Sequence, residues 1–260
     1  MSSSLVLSLE TIPDVPRIRQ LFGLGSTLRD ADVADYAFQR QRAEGGDDTL
    51  PFHLQRVVLV SCLRRGDGQI ELLSLDEGEG EADLLGRLFA LLRQLDPQIV
   101  AWEAEVFVRP LLLCRAMLHG IDAGLKWPQA ENARVPFGDM ASVPGLFDLS
   151  RQLRFGPVAA ARSPLADFAR LAGIPEASDP DAVLAWEVWC KGQAAELKEK
   201  CERRVLMNYL IFLRLLVAQG QIEAEQMALE QRLLRAELAW SQAAAAQAFI
   251  ADWPSESKSL

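Results

Sequence analysis

The sequence predicts an α/β chain, a sheet flanked by helices and followed by a C-terminal helical extension. Three observations carry that prediction. Short apolar, β-branched runs bounded by turn residues recur in the first hundred residues, as strands do. From residue 82 onward, segments with apolar residues at helical spacing take over. The stretch 222–253 is rich in Ala, Glu and Gln with a period of about 3.6. At 260 residues, 50% hydrophobic and 24% charged, the chain can bury a substantial core. The expected division is a main domain over 1–220, a helical extension over 221–253 and a disordered tail over 254–260.

The first strand is Leu5-Val-Leu-Ser-Leu-Glu-Thr-Ile-Pro-Asp14, a buried run ending at a proline. Side chains on a strand alternate faces, so Ser8 and Glu10 share one face near its end. Residues 15–50 read as a helix and then a polar loop broken at Gly45-Gly46. Arg56–Leu63 and Gln69–Leu75, joined through Gly-Asp-Gly, read as a hairpin. The segment 82–95 is a helix stopped by Asp96-Pro97, and Gln98-Ile-Val-Ala-Trp102 is a fourth strand. Phe107–Gly120 is helical with a glycine cap, and Pro128–Pro144 is an irregular loop. Leu146-Phe-Asp-Leu149 is a short edge strand. Ser163-Pro164 begins a helix that stops at Gly173. Further helices cover 181–192 and 194–219, the longer with Val205, Tyr209, Phe212 and Leu216 on one face. In the tail, Trp240 and Phe249 are expected to anchor the apolar side.

A net charge of −9 disfavours indiscriminate attraction to phosphate backbones, though a local basic groove remains compatible with it. Cys62, Cys114, Cys190 and Cys201 are scattered, which reads as buried reduced thiols rather than a zinc site or disulfides. The apolar runs are far shorter than the roughly 20 residues that cross a bilayer. With no basic stretch before the first apolar run, a cytoplasmic location and no membrane partner are expected.

Three segments, in order, carry a resemblance. Leu5–Asp14 resembles the Phe-Asp-Ile-Glu-Thr-x-Pro-Asp opening of the predicted 3′–5′ exonucleases related to the proofreading domain of B-type DNA polymerases. Val100-Ala-Trp-Glu-Ala-Glu-Val-Phe-Val-Arg-Pro-Leu111, running into Arg115-Ala-Met-Leu-His-Gly120, is similar to the Thr-x-Asn-Gly-x-x-Phe-Asp-x-Pro segment of that family. Lys200-Cys-Glu-Arg-Arg-Val-Leu-Met-Asn208 is similar to its Tyr-Cys-Glu-x-Asp-Val-x-Asn-Thr helix. Phe147-Asp-Leu149, Ser163-Pro-Leu165 and Leu171-Ala-Gly-Ile-Pro175 match lesser landmarks between them, so the likeness spans roughly 5–220.

The resemblance implies a ribonuclease-H-like mixed five-stranded sheet flanked by helices, acids converging at one edge, and two Mg²⁺ or Mn²⁺ ions serving phosphodiester hydrolysis. The metal-binding acids of the family fall at Ser8, Glu10, Val108 and Arg204, so Glu10 alone is retained. Magnesium is held through carboxylates and water, Val108 offers no oxygen, and Arg204 brings a permanent positive charge. No metal is therefore expected unless a site is rebuilt from Glu10, Glu103 and Glu105. Arg204 is instead expected to occupy the vacated position and pair with Glu10. Glu202, two residues earlier on the helix, turns about 200° away from it.

Asp148 reads as a turn or helix cap. Trp102 and Phe107 are candidates for stacking on bases. Arginines 134, 151, 154, 162 and 170, set against aspartates 139, 148 and 167, form a modest basic excess that suits a nucleic-acid backbone. The expected function is that of a catalytically degenerate exonuclease-like protein, binding single-stranded nucleic acid or, through its C-terminal helices, a protein partner. An active metal-dependent exonuclease and a pure interaction subunit are the alternatives.

Overall fold

The computed structural model describes residues 3–45, 48–66, 68–124, 145–153, 165–177 and 182–254. Strand β1 (Ser4–Pro13) lies at the centre of a five-stranded sheet. It pairs antiparallel with β2 (Gln55–Gly66), which pairs antiparallel with β3 (Gln69–Asp76). On its other side run β4 (Gln98–Ala101) and β5 (Leu146–Asp148), both parallel, giving the mixed order β3-β2-β1-β4-β5. β5 is the edge strand, as its length led us to expect.

The single helix expected over the early segment is two. Helix α1 (Val15–Phe22) is capped by Asp14, whose side chain accepts from the amide of Arg17, and ends where Gly23 turns left-handed at φ 63°. Glycine pays no Cβ penalty there. Helix α2 (Asp30–Ala43) then starts afresh. Helix α3 (Glu81–Leu95) stops at Asp96, and α4 (Arg109–His119) at Gly120. The expected start of α4 at Phe107 belongs instead to a π-helical turn, Ala104–Val108, entered through Glu103 at φ 53°. Helices α5 (Leu149–Gln152), α6 (Leu165–Leu171), α7 (Ala182–Cys190), α8 (Ala194–Ala218), α9 (Ala224–Trp240) and α10 (Ala244–Asp252) complete the described chain. The expected loop 128–144, the helix start at Ser163-Pro164 and most of the tail lie outside the described residues.

Strand alternation divides the core. Leu5, Leu7 and Leu9 of β1 meet Leu84, Leu88 and Leu92 of α3 and Leu111 and Leu112 of α4 on one face. Val6 meets Val205, Tyr209, Phe212 and Leu216 of α8 on the other. Leu234 and Leu238 of α9 and Phe249 and Trp253 of α10 join that second cluster, so the C-terminal helices share the core of α8. Each such side chain contributes about 2 kcal/mol by leaving water. Trp240 departs from expectation: it is 85% exposed while Phe249 is fully buried. It sits two residues beyond Leu238, about 200° round the helix from the stripe that α9 buries. Cys62 and Cys201 are buried thiols whose pKa is raised by desolvation, but Cys114 is half-buried and Cys190 is exposed at the end of α7, against expectation.

Candidate functional site

Period-2 alternation puts Ser8 and Glu10 on the face of β1 that α8 covers, and both are buried. A register shift between Glu10 and Thr11 lies beside them, where Glu10 opposes Leu59 but Thr11 opposes Val57. The extra residue is Val58, and such a bulge re-aims the strand locally. Arg204, buried on α8, points at this corner. Its Nε donates to Ser8 Oγ at 2.8 Å, and its Nη2 donates to the Glu10 carboxylate and to the carbonyl of Leu9 at 3.4 Å. The resemblance predicted this pairing, and the side chains of Arg204 and Glu10 are only 8% and 5% exposed.

A polar row continues across the sheet. Ser8 opposes Ser61, and Ser61 opposes Ser74. The Ser61 and Ser74 hydroxyls lie 2.9 Å apart, and Ser74 Oγ donates to Glu202 Oε1 at 2.7 Å. Glu202 is thus directed to β3 rather than to Glu10, in line with its helical offset, although it is buried.

The remaining predicted residues go elsewhere. Val108 is buried in the apolar cluster of Leu5, Leu7 and Leu9, on the face of β1 opposite Ser8 and Glu10. Glu103 is half-buried in its left-handed conformation. The Glu105 carboxylate is held by Arg151 Nη1 at 2.5 and 2.6 Å, while its amide donates to Asp148 Oδ2 at 2.8 Å. Asp148 also accepts from the amide of Arg151 and the hydroxyl of Ser150, which makes it the N-cap of α5. Trp102 and Phe107 are half-buried against Phe168 and Phe52, with ring centroids 6.3 and 5.9 Å apart. Of the five arginines in the basic excess, 134, 154 and 162 lie outside the described residues, and Arg151 and Arg170 are engaged by Glu105 and Glu176.

The donor set at the Ser8–Glu10–Arg204 corner does not fit the two divalent ions that the resemblance implies. It offers one carboxylate, already bonded to a guanidinium, and one hydroxyl accepting from the same group. A dication there would displace a buried cation from its partner and find too few hard oxygens. Among the described residues no three His, Cys, Asp or Glu side chains are grouped to hold a metal ion. No described helix is long and apolar enough to cross a membrane.

A second charged cluster escaped sequence reasoning. Arg115 of α4, 1% exposed, donates from Nε to Glu81 Oε1 at 2.8 Å and from Nη2 to Asp14 Oδ2 at 2.6 Å. Glu81 also accepts from the amide of Val57 at 2.7 Å and lies 2.8 Å from His119 Nε2. Burial opposes ionisation of Glu81, yet Arg115, Val57 and His119 together hold its carboxyl below the usual range. The sequence signal was an arginine standing on the apolar stripe of α4, beside Leu111 and Leu112.

Comparison with solved structures gives the fold a relative. The family B DNA polymerase from the hyperthermophilic archaeon Pyrobaculum calidifontis superposes with a TM-score of 0.51 at 16% identity, covering 92% of this chain and 29% of the polymerase. The chain therefore spans under a third of that polymerase, and at this identity the likeness shows the fold alone, a mixed five-stranded sheet flanked by helices of the ribonuclease-H-like type. No curated protein matches it by sequence. Residues 47–253 match the family described as predicted 3′–5′ exonucleases related to the exonuclease domain of PolB, and to that family the chain belongs.

Proposed function

We propose that the chain is a catalytically degenerate exonuclease-like protein, a pseudoenzyme that keeps a nucleic-acid- or protein-binding role on a scaffold that has lost metal-dependent hydrolysis. The observation that carries this reading is the buried Arg204–Glu10 pair, closed further by Ser8, at the corner where the family resemblance places metal-binding acids. A rebuilt site from Glu10, Glu103 and Glu105 is disfavoured because Arg204 engages Glu10 and Arg151 engages Glu105. The acidic net charge of −9 favours a protein partner over nucleic acid, and the helices over 221–253, with Trp240 exposed at the end of α9, are the surface we assign to it. Four free cysteines suit a reduced, cytoplasmic setting.

The test is a nuclease assay on a labelled single strand with Mg²⁺ or Mn²⁺ at high protein concentration. No release of nucleotides is expected, and release that Glu10→Gln abolishes would overturn the proposal. A salt titration of oligonucleotide binding separates the two retained roles, because backbone contacts weaken linearly with the logarithm of salt concentration. Absence of binding at low salt assigns the role to a protein partner.

A further inference from the structure

A cavity of about 430 Å³, within the size range of small-molecule sites, opens over the Arg115 cluster and shares no residue with the Glu10–Arg204 corner. Its wall is drawn from four elements: Asp14, Arg17 and Gln20 at and within α1, Arg56 of β2, Glu81 of α3, and Arg115 and His119 of α4. Its hydrogen-bonding capacity is one-sided. Asp14 accepts from Arg115 and from the amide of Arg17, one at each oxygen. Glu81 accepts from Val57 and Arg115 at Oε1, and is met by Arg115 and His119 at Oε2. Both carboxylates are thus satisfied from within the protein.

The donors are not. Arg115 Nη1 is buried without any hydrogen-bond partner, a costly state for a guanidinium nitrogen. Arg17 and Arg56 keep 30% and 27% of their side chains exposed, and each spends part of its guanidinium on a neighbour, Leu118 and Asp14 for Arg17 and Glu77 for Arg56. Three arginines face two acids along the wall. We propose that this cavity binds a phosphate monoester. Guanidinium forks pair with oxyanions through two parallel hydrogen bonds. Exposed guanidinium donors from α1 and β2, backed by the buried charge of Arg115, suit the several oxygens of a tetrahedral phosphate better than the two of a planar carboxylate. Arg115, fixed by the Asp14 and Glu81 carboxylates, adds its positive charge from behind the wall.

Isothermal titration calorimetry of the full chain at constant ionic strength tests this with inorganic phosphate and AMP, and with acetate as the control anion. Saturable binding of phosphate and AMP but not acetate is expected. Arg17→Gln and Arg56→Gln each weaken it about tenfold or more, while Arg87→Gln, the same charge change midway along α3 and outside the cavity wall, leaves it unchanged. Circular dichroism confirms that the variants are folded. A 5′-phosphorylated oligonucleotide that binds more tightly than its 5′-hydroxyl counterpart assigns the phosphate to a strand end, and equal binding assigns it to a free ester. Absence of saturable heat at millimolar phosphate, equal binding of acetate, or undiminished affinity in the folded Arg17 and Arg56 variants overturns the proposal.

Discussion

Arg204 reaches Glu10 across 194 residues of sequence, and the two charges meet where almost no water does. A buried ion pair is favourable only while both partners are present, because the survivor is left uncompensated in a poorly solvating interior. Glu10→Gln should therefore destabilise the fold by roughly 3 kcal/mol or more. Replacing both residues together, Glu10→Leu with Arg204→Met, should cost far less than the single change. Urea unfolding of the parent and the two variants checks the ordering. A single variant as stable as the parent would show that the pair is solvated.

The converse experiment rebuilds the acids. Ser8→Asp with Arg204→Asp would set three carboxylates, with Glu10, around one buried corner. Like charges at that spacing repel, so the metal-free variant should melt below the parent. Divalent cations should then restore it, since a ligand that binds only the folded state adds about 2.7 kcal/mol at a hundred times its dissociation constant. The parent should show no thermal shift with Mn²⁺ and none on chelation, which differential scanning fluorimetry reads directly. A manganese-dependent shift in the parent would contradict the account of the corner given above.

How much of this was legible in the sequence differs by residue. Ser8 and Glu10 share a face because strands alternate, and that follows from spacing alone. Their meeting with Arg204 rested on the family resemblance, since no local pattern links positions so far apart. The break at Gly23 was hidden because the helical pattern resumes within a few residues, so two helices looked like one. Trp240 departs from its expected place on the apolar side because its angle from Leu238 turns it away from the buried stripe of α9. Arg115 and Glu81 each stand on an apolar stripe, which is where a buried charge awaiting a distant partner should be sought.

Acid should loosen the protein through two named carboxylates. Glu81 and Glu230 both have pKa values lowered below the ordinary 4.5 despite burial, Glu81 by Arg115 and the amide of Val57, Glu230 by Arg65 and Tyr209. A carboxylate depressed in the folded state stabilises fully above its unfolded pKa and loses that contribution as pH falls through the folded one. Stability should hold from neutrality down to about 4.5 and decline below it. Glu230→Gln, which removes one of the two titrating groups, should lessen that decline. Urea midpoints measured at successive pH values check both, and a decline that began near pH 6 would point to other groups.

Asp148 joins three pieces of chain at the sheet edge, capping α5 and fixing the amide of Glu105 at the start of the π-helical turn. Loss of a helix cap costs about 1 kcal/mol, and an orphaned buried amide adds a comparable amount. Asp148→Ala should therefore cost roughly 2 kcal/mol overall. The local signature is sharper than the global one. Glu103 sits at φ 53°, a conformation that a non-glycine residue holds only when its surroundings insist. With the Asp148 tie gone, the segment 103–108 should open more often, and hydrogen exchange there should quicken while that of β1 and α8 keeps pace with global stability. Unchanged protection across 103–108 in the variant would mean that the turn is held by α4 and the core beneath Val108 instead.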